Sequence, residues 1–484
     1  KKFEKIFEQI REDGDTSLKT LINLDIDENR SLRPLDSEET ELKEKVRKRK
    51  DKYKEQGEEE HIIYSWKQLI EDGKNAIALG DRQFIDAEVL GTDPAVILYT
   101  SGTTGFAKGV VLTHRNIVDD LMMAPTILKV HPEDIFFSVL PVHHTYECTC
   151  AFLMPLYKGA SIAFCEGLKY ITKNLQEIRP TMLLGVPVLI ETLYKKIWKT
   201  AKSEGKDKKL EKLMKLNKKT KKLNINIAKK LAKDILDVFG GRMRVLISGC
   251  AAIDPKILQF FNDLGIIAVQ GYGLTECSPM TALNPDVEKD MKNESVGHLL
   301  PGMKVKIVDA DEEGIGEICF KGPNVMLGYY NNQEATDEVL KDGWFHTGDL
   351  GRVDTDSFIY ITGRKKNVII TENGKNVFPE ELEYELSHIP YIAESMVWGD
   401  NEGEGVNSTT IAATVTLDDE EVKEVLGEEY TDEQAQNLVW GEIDKINEHL
   451  PLFKKIKKLN IRKTDFNKTT GMKIKRFVES NKDA

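Results

Sequence analysis

The stretch Tyr99-Thr-Ser-Gly-Thr-Thr-Gly-Phe-Ala-Lys-Gly109 joins two apolar runs, 95–99 and 110–112, that are each typical of a buried strand. A loop so rich in glycine and hydroxyl residues exposes backbone N–H groups in a concave turn, and its lysine adds a cation. Because the P-loop pattern ends in Gly-Lys-Ser/Thr, whereas here Lys108 precedes Gly109, this is a different loop. It predicts phosphate contacts from seven residues: Thr100, Ser101, Gly102, Thr103, Thr104, Gly105 and Lys108.

The chain around this loop alternates between short Val/Ile-rich runs and segments with helical spacing, which indicates α/β architecture with largely buried strands. The clearest unit begins with a strand at 244–248. Asp254 then fits a helix N-cap, Pro255 the first helical position, and Gly265 the residue after the helix. A second strand at 266–270 completes the unit.

The last 120 residues have a different pattern, typical of a small α+β domain. Two strands are expected at 391–399 and 408–417, and a helix is expected to begin after Thr431, with Gln434 completing a capping box.

The charge of the chain is uneven. Of its 484 residues, 80 are acidic and 68 basic, a net charge of −12. The stretch 195–233 alone holds sixteen lysines against three acidic residues, so the remainder is strongly acidic. A body of that charge argues against a nucleic-acid-binding protein, which needs a basic face built into its fold.

The lysines of 195–233 alternate with Leu, Ile, Trp198 and Met214, so that an apolar stripe opposes a cationic face on a helix. Such a helix can lie on an anionic membrane surface. Alternatively, its apolar stripe packs on the protein body while the lysine heads stay in water. The sequence leaves both interpretations open.

The six cysteines form no CxxC pair, which favours neither a zinc site nor a disulfide framework and predicts a reducing, cytoplasmic location. No apolar run reaches the length of a membrane span, and the first residues lack the apolar core of a signal peptide. We therefore expect a cytoplasmic protein, with peripheral contact at the inner face of the membrane through 195–233 as the open alternative.

The loop at 99–109 resembles the phosphate-binding signature of the adenylate-forming, or AMP-binding, superfamily, which contains acyl-CoA synthetases, peptide-synthetase adenylation domains and luciferases. Ala107 stands where that family usually has proline. Further matches follow in family order over roughly residues 85–480. The resemblance implies an α/β fold with a large N-terminal domain of mixed sheets flanked by helices, residues 1–365, and a small mobile α+β C-terminal lid domain, residues 366–484. Family members carry more residues before this loop, so an N-terminal subdomain is expected to be missing.

Three stretches resemble the family's nucleotide signatures. In Gln270-Gly-Tyr-Gly-Leu-Thr-Glu276, the resemblance places the Tyr272 ring on adenine, the Thr275 hydroxyl on the α-phosphate, and the Glu276 carboxylate on Mg²⁺. In Trp344-Phe-His-Thr-Gly-Asp349, it gives Asp349 to the ribose hydroxyls. Gly271 and Gly273 are expected to let the backbone approach the nucleotide. The segment 248–253 resembles the one that borders both adenine and the acyl carboxylate, and its small residues Gly249 and Ala251 leave room for a ligand, with tight helix–strand packing as the alternative interpretation.

The segment Gly363-Arg-Lys-Lys366 resembles the family hinge. Arg364 would contact ribose or phosphate, and Lys366 would be the pivot between the domains. Near the C-terminus, 468–476 resembles the signature whose lysine lies between the carboxylate nucleophile and the α-phosphate, and its register selects Lys473, with Lys468 and Lys475 as alternatives.

Two stretches resemble the parts of the family that hold the acyl group and CoA. The segment 373–383 resembles the loop that lines the pantetheine tunnel, with Gly374 at its narrow point. The segment Leu140-Pro-Val-His-His-Thr-Tyr-Glu147 resembles the acyl-pocket signature, with His144 at its wall. A core histidine is the alternative interpretation.

Together the resemblance implies a ligase that uses Mg²⁺ and ATP to convert a fatty acid to acyl-adenylate and pyrophosphate, and then transfers the acyl group to CoA, releasing AMP. The insertion at 195–233 and the residues around His144 resemble those of the long-chain fatty acyl-CoA synthetase branch. The open alternatives are transfer to the phosphopantetheine of a carrier protein, and a non-catalytic scaffold at a membrane surface that binds acyl groups or nucleotides.

Overall fold

The computed structural model describes residues 21–23, 63–100, 107–220, 237–371, 375–400, 409–468, 474–476 and 478–483. They divide into two compact units, Lys1–Val89 and Leu90–Ala484. In the first unit, strands β1 (Leu21–Asn23) and β2 (Ile63–Ser65) pair in parallel, and helix α1 (Trp66–Ala78) follows.

The described part of the second unit contains four sheets and the helices that connect them. Its strands are β3 (Pro94–Thr100), β4 (Lys108–Thr113), β5 (Ile135–Ser138), β6 (Ser161–Phe164), β7 (Met182–Gly185), β8 (Val245–Ser248), β9 (Ile267–Gly273), β10 (Met280–Leu283), β11 (Gly297–Leu299), β12 (Lys304–Val308), β13 (Gly316–Lys321), β14 (Gly328–Tyr329), β15 (Leu340–Lys341), β16 (Trp344–Val353), β17 (Phe358–Arg364), β18 (Ile369–Ile370), β19 (Asn376–Val377), β20 (Ile392–Asp400), β21 (Thr410–Leu417) and β22 (Lys458–Arg462). Its helices are α2 (His114–Ile127), α3 (Met154–Lys158), α4 (Ile171–Ile178), α5 (Pro187–Ser203), α6 (Asp207–Thr220), α7 (Pro255–Asp263), α8 (Gln333–Val339), α9 (Pro379–Leu386), α10 (Asp419–Leu426) and α11 (Asp432–His449), together with a π-helix at Tyr146–Leu153.

The large sheet has the strand order β12-β13-β16-β17-β11-β10-β9-β8-β7-β5-β6, with β15 added beside β16. Strands β5 to β9 pair in parallel, and from β9 to β12 the pairing is antiparallel. Every residue of β7 and β8 is buried, as expected for parallel strands covered on both faces. The predicted α/β fold with a mixed sheet is confirmed.

The unit β8-α7-β9 follows its sequence signals closely. The Asp254 side chain accepts a hydrogen bond from the Lys256 backbone N–H at 2.8 Å, and Pro255 begins the helix. Gly265 follows the helix with φ +85°, a left-handed conformation that glycine adopts without strain. This unit brings the end of β9 to the middle of the large sheet.

The first motif lies between two strands of the small sheet β14-β4-β3. β3 and β4 are antiparallel, and Thr100 pairs with Lys108 at their ends. Residues 101–106 lie outside the described part of the chain. The predicted strands on either side of the phosphate loop are therefore confirmed.

The C-terminal part has its own sheet, β20-β21-β22, and its own hydrophobic core with α9 and α11. Thr431 and Gln434 form the expected capping box at the start of α11. β17 ends at Arg364 in the large sheet, whereas Ile369 already belongs to the C-terminal core. The boundary after residue 365 and the mobility of the smaller part stay predictions.

The described part of the lysine-rich stretch, 195–220, lies in α5 and α6. Its apolar side chains pack on the core between the helices and the large sheet: Ile197, Trp198, Ala201, Leu210 and Met214. The lysines between 195 and 215 are exposed. Two of them form exposed ion pairs with α10, Lys199 with Glu420 at 3.0 Å and Lys202 with Glu424 at 3.6 Å. The apolar stripe thus packs on the body. Within the residues that the structure describes, no helix is both long and apolar enough to cross a bilayer.

Candidate active site

Three of the predicted nucleotide contacts meet on the large sheet through side chains from β16, from its neighbour β17 and from the more distant strand β9. Asp349 of β16 pairs in register with Arg364 of β17, and Arg364 Nε lies 2.7 Å from Asp349 Oδ1. The hydroxyl of Tyr272, near the end of β9, donates a hydrogen bond to Asp349 Oδ2. Burial, and then the charge and hydrogen bond of Asp349, raise the pKa of Tyr272 well above its ordinary value, so the phenol remains a donor.

A carboxylate has about four lone-pair sites, so Asp349 can hold both partners and still accept from a ribose diol. The Arg364 side chain is 41% exposed, which leaves a cationic surface beside the buried carboxylate. This arrangement fits the ribose and phosphate contacts that the sequence predicts for these residues.

The second part of the site forms around Tyr329. Its hydroxyl donates to Glu276 Oε1 at 2.9 Å, and Lys108 Nζ lies 4.9 Å from the centroid of its ring. Burial, followed by the charge of Glu276, raises the pKa of Tyr329, which keeps this hydroxyl a donor as well. The lysine of the phosphate loop and the predicted Mg²⁺ carboxylate therefore lie on either side of one tyrosine, although sequence reasoning did not single out Tyr329.

Thr275 and Glu276 lie on a short 3₁₀ helix, Thr275–Cys277, that follows β9 directly. Glu276 is half-buried, so its carboxylate combines a fixed hydrogen bond with access from solvent. Hard divalent cations such as Mg²⁺ prefer carboxylate oxygen and keep several water ligands. The side chain fits the role of a Mg²⁺ ligand.

The glycine at 273 is required by the packing of the protein itself. A Cβ there would lie 2.0 Å from the carbonyl oxygen of Pro279, so any larger residue would push β9 away from the turn that leads into β10. At Gly271, a Cβ would lie 3.0 Å from a methyl group of Leu283. The two glycines therefore let β9 pack closely against the turn into β10 and against β10 itself, in addition to the approach to a nucleotide that the sequence predicts.

The predicted acyl-pocket segment 140–147 meets the segment 248–253 through one tyrosine. Tyr146 donates a hydrogen bond to the Ile247 carbonyl oxygen at 3.1 Å, and its ring lies where a Cβ on Gly249 would approach to 2.8 Å. His144 is half-buried, and its Nδ1 accepts from the Tyr146 backbone N–H at 3.2 Å. Ala251 is exposed in the turn after β8.

A narrow apolar cavity lies beside this tyrosine, between the parallel strands and α2. Its walls include Ala124 of α2 and Leu128 just after that helix, Tyr146 and Cys150 of the π-helix, and Met182 and Ile247 of the sheet. The cavity is apolar but so narrow that an alkyl chain could enter it only if its walls moved apart.

Glu147 is a buried acid at the end of the acyl-pocket segment 140–147, and the sequence predicts no role for it. It is fully buried and accepts a hydrogen bond from the Ser138 hydroxyl at 2.5 Å. Burial raises its pKa to about 7, although hydrogen bonds from Ser138 and from backbone groups oppose the shift. Its chain neighbours are apolar and hydroxyl residues, and nothing local in the sequence indicates that this acid is removed from water.

The pKa of Glu147 predicts a specific dependence of stability on pH. In the unfolded chain this acid ionises near its ordinary pKa, whereas in the folded protein it keeps its proton until about pH 7. Its contribution to stability is therefore complete at low pH and is lost as the pH rises toward 7. We expect Glu147→Gln, which mimics the protonated acid, to gain up to about 3 kcal/mol over the wild type between pH 5 and pH 8.

Urea unfolding at the two pH values measures this gain. Glu133→Gln, at an exposed position before β5, serves as the control and should show the same pH dependence as the wild type. An equal pH dependence of Glu147→Gln and the wild type would contradict the raised pKa.

Several predicted residues lie outside the described part of the chain: Ser101, Gly102, Thr103, Thr104 and Gly105 of the phosphate loop, Gly374 of the tunnel loop, and Lys473. Lys366 is exposed on the short 3₁₀ helix Lys365–Asn367 that follows β17. Of the two alternatives to Lys473, Lys468 is engaged by Glu394, with its Nζ 2.6 Å from the carboxylate.

Known proteins match this chain over most of its length. A family model described as "AMP-binding enzyme" matches residues 14–330. The long-chain-fatty-acid–CoA ligase FadD15 of Mycobacterium bovis is 30% identical over an alignment of 431 positions, which covers 82% of this chain and 69% of that protein. Fatty acyl-CoA synthetase A of Dictyostelium discoideum is 33% identical over 367 residues, 71% of this chain and 53% of that protein.

Solved structures show the same architecture. ATP-bound MatB from Rhodopseudomonas palustris is 28% identical, with a TM-score of 0.63 over 85% of this chain and 72% of that one. The o-succinylbenzoate CoA synthetase MenE from Bacillus subtilis, in complex with its acyl-adenylate intermediate, shares the fold at 21% identity, with a TM-score of 0.66 over 99% of this chain and 81% of that one. With its motifs in place and most of its length matched, the chain belongs to the family of AMP-binding enzymes.

Proposed function

We propose that this chain activates a fatty acid with Mg·ATP and transfers the acyl group to CoA. Two clusters of side chains carry the proposal. Tyr272, Asp349 and Arg364 contact one another, whereas Glu276 and Lys108 both contact Tyr329, and the charge of Glu276 also acts on Arg364. The first set fits a nucleoside, and the second fits phosphates with their cation.

The proposed reaction has two steps, and in each of them one bond forms and one bond breaks. A carboxylate oxygen of the acid attacks the α-phosphorus of ATP, and pyrophosphate leaves with the electrons of the broken P–O bond. The thiolate sulfur of CoA, whose proton has gone to solvent, then attacks the acyl carbon, and AMP leaves. Both steps pass through concentrated negative charge, which cationic side chains and Mg²⁺ offset.

A fatty acid is the substrate class best supported. The cavity beside Tyr146 is lined by apolar side chains, and the relatives from Mycobacterium and Dictyostelium are named as long-chain or fatty acyl ligases. We place the alkyl chain against Ala124 and Ile247, with the carboxylate near Gly249. His144, which holds the start of the π-helix through Tyr146, would shape the wall of this pocket.

The proposed role of Glu276 as a Mg²⁺ ligand predicts that its replacement raises the Mg²⁺ concentration needed for activity. Glu276→Gln keeps the hydrogen bond from Tyr329 but removes the anionic oxygen that a hard cation prefers. We expect the Mg²⁺ concentration for half-maximal pyrophosphate exchange to rise about tenfold, with activity partly restored at high Mg²⁺. The exposed variant Glu288→Gln is the control, and an unchanged Mg²⁺ requirement in Glu276→Gln would remove this residue from the metal site.

For the second step, we propose that the C-terminal part, 366–484, turns about Lys366 and brings Gly374 toward the site. A separate hydrophobic core in this part supports such a motion, because it can move as a body without exposing that core. Free CoA is the proposed acceptor, and a carrier-protein phosphopantetheine is the alternative.

We also propose peripheral contact with an anionic membrane through the stretch 195–233. Because the apolar stripe of α5 and α6 is packed on the body, this contact would be electrostatic, through exposed lysines such as Lys196, Lys208 and Lys212. Binding to phosphatidylserine vesicles should then fall steeply with salt and disappear when these three lysines are replaced by glutamine.

The proposed function is tested by ATP–pyrophosphate exchange across acids from acetate to palmitate, followed by AMP release on addition of CoA. We expect exchange to increase with chain length and AMP release to require both acid and CoA. ATP binding without exchange for any acid would favour the non-catalytic scaffold, and AMP release with a pantetheinylated carrier protein but not with CoA would favour the alternative acceptor.

A further inference from the structure

Glu317 lies beside the predicted ribose contacts, on a strand for which sequence reasoning named no site residue. β13 pairs with β16 so that Cys319 faces His346 and Glu317 faces Leu350. One residue separates the two positions on β13, whereas three separate them on β16. The strand β16 therefore bulges at 347–349, and Asp349 is part of the bulge.

A bulge removes backbone groups from the ladder, and those groups need other partners. Gly348 has a φ of +71°, and its N–H donates to Glu317 Oε1 at 3.1 Å. The Thr347 hydroxyl donates to the Ile318 carbonyl oxygen at 2.7 Å and accepts from the Asp349 N–H at 3.0 Å. The backbone around Asp349 is thus fixed by two side chains.

The other oxygen of Glu317 reaches the strand that carries Arg364. Glu317 Oε2 lies 3.1 Å from Lys365 Nζ, and Lys365 follows Arg364 directly. The same oxygen lies 3.3 Å from His346 Nδ1. Burial alone would raise the pKa of Glu317, but the hydrogen bonds from Lys365 and His346 and the charge of Lys365 hold it below its ordinary value.

Glu317, Cys319 and His346 also place potential metal ligands within 4.8 Å of one another. A metal needs the thiolate of Cys319, yet burial and the charge of Glu317 raise the pKa of this thiol to about 11. The ammonium of Lys365 already supplies a positive charge to Glu317. The cluster therefore fits a hydrogen-bonded support better than a metal site.

We propose that Glu317 is a positioning residue for ribose recognition. One carboxylate oxygen of Glu317 accepts from Gly348, the residue before Asp349, and the other contacts Lys365, the residue after Arg364. Glu317 thereby fixes the separation and orientation of Asp349 and Arg364. The inference rests on the proposed function, because it takes this pair to be the site of the nucleotide.

Deoxynucleotides give a test that separates positioning from general support of the fold. Pyrophosphate exchange is measured with ATP, 2′-deoxy-ATP and 3′-deoxy-ATP for the wild type, Glu317→Ala, Glu317→Gln and the exposed control Glu312→Gln. Calorimetric binding of AMP and 2′-deoxy-AMP to the same proteins gives a readout independent of turnover.

We expect Glu317→Ala to raise the KM for ATP about tenfold and to keep kcat within about threefold of the wild type. The reason is that losing a charge-assisted contact beside the ribose site weakens ATP binding rather than the chemical step. The preference for ATP over either deoxynucleotide should shrink toward one, because a misplaced Asp349 no longer gains from both hydroxyls. Glu317→Gln, which can still accept from Gly348 but not neutralise Lys365, should lie between Glu317→Ala and the wild type. Glu312→Gln should behave as the wild type.

An undiminished preference for ATP over the deoxynucleotides in both Glu317 variants would overturn the inference, whatever happens to kcat. If Glu317→Ala does not fold, the preference measured in Glu317→Gln decides. Failure of the wild type itself to exchange pyrophosphate would instead overturn the proposed function, and the positioning role with it. A wild type that exchanges but variants that keep their nucleotide preference would overturn only the positioning role.

Discussion

Replacing Lys473 by alanine is expected to lower ATP–pyrophosphate exchange by at least about 100-fold while leaving thioester formation from supplied acyl-adenylate within about threefold of the wild type. The resemblance places this ammonium between the carboxylate nucleophile and the α-phosphate, where negative charge concentrates only in the first step. Once the adenylate is supplied, that charge no longer forms. The measurement is radiolabelled pyrophosphate exchange beside acyl-CoA formation from synthetic acyl-adenylate.

The chain offers matched controls for this experiment. Lys475→Ala removes the same charge two residues away, and Lys468→Ala removes a lysine whose Nζ is held by Glu394 at 2.6 Å. Both should retain exchange. Loss of exchange in one of these, with Lys473→Ala unaffected, would move the catalytic lysine to the other position, and full exchange in all three would refute the assignment of the adenylation step.

Asp349→Asn is expected to raise the KM for ATP about 100-fold, because a neutral amide replaces the acceptor-only carboxylate that the ribose hydroxyls and Arg364 share. The change also leaves Arg364 without its ion pair at 2.7 Å. Since Arg364 is 41% exposed, water replaces part of that interaction, and the free energy of unfolding should fall by only about 1 kcal/mol. Exchange kinetics and urea unfolding measure the two effects separately.

Asp337→Asn is the matched control for this change. Asp337 is exposed on α8, where it accepts a hydrogen bond from Gln333 at 2.8 Å, and it belongs to none of the nucleotide motifs. It should change neither KM nor stability measurably. An Asp349→Asn enzyme with a normal KM for ATP would exclude this carboxylate from ribose binding.

Elements defined by local signals were predictable from the sequence. The helix α7 begins after Asp254, and α11 begins after the capping box of Thr431 and Gln434, because a cap satisfies backbone groups only three or four residues away. The strands on either side of the phosphate loop were predictable for a similar reason, since an apolar run bounded by glycine is itself local.

The order of the family motifs along the chain made the candidate nucleotide residues predictable. The contacts between those residues were not predictable. Tyr272 and Asp349 are 77 residues apart, and only the order of strands in the large sheet brings them together. Tyr329 and Glu317 were missed altogether, because a tyrosine or a glutamate in a strand has no local mark that distinguishes a site residue from a surface one.

The sequence by itself therefore determined the α/β class, the order of the motifs and the residue types that can contact a nucleotide, because these follow from interactions within a few residues and from resemblance. The tertiary structure alone decided which side chains meet. It packed the apolar stripe of α5 and α6 on the body, raised the pKa of Glu147 to about 7, and placed Glu317 between Gly348 and Lys365. Burial and long-range pairing depend on what the rest of the chain brings to each residue, and no local pattern records that.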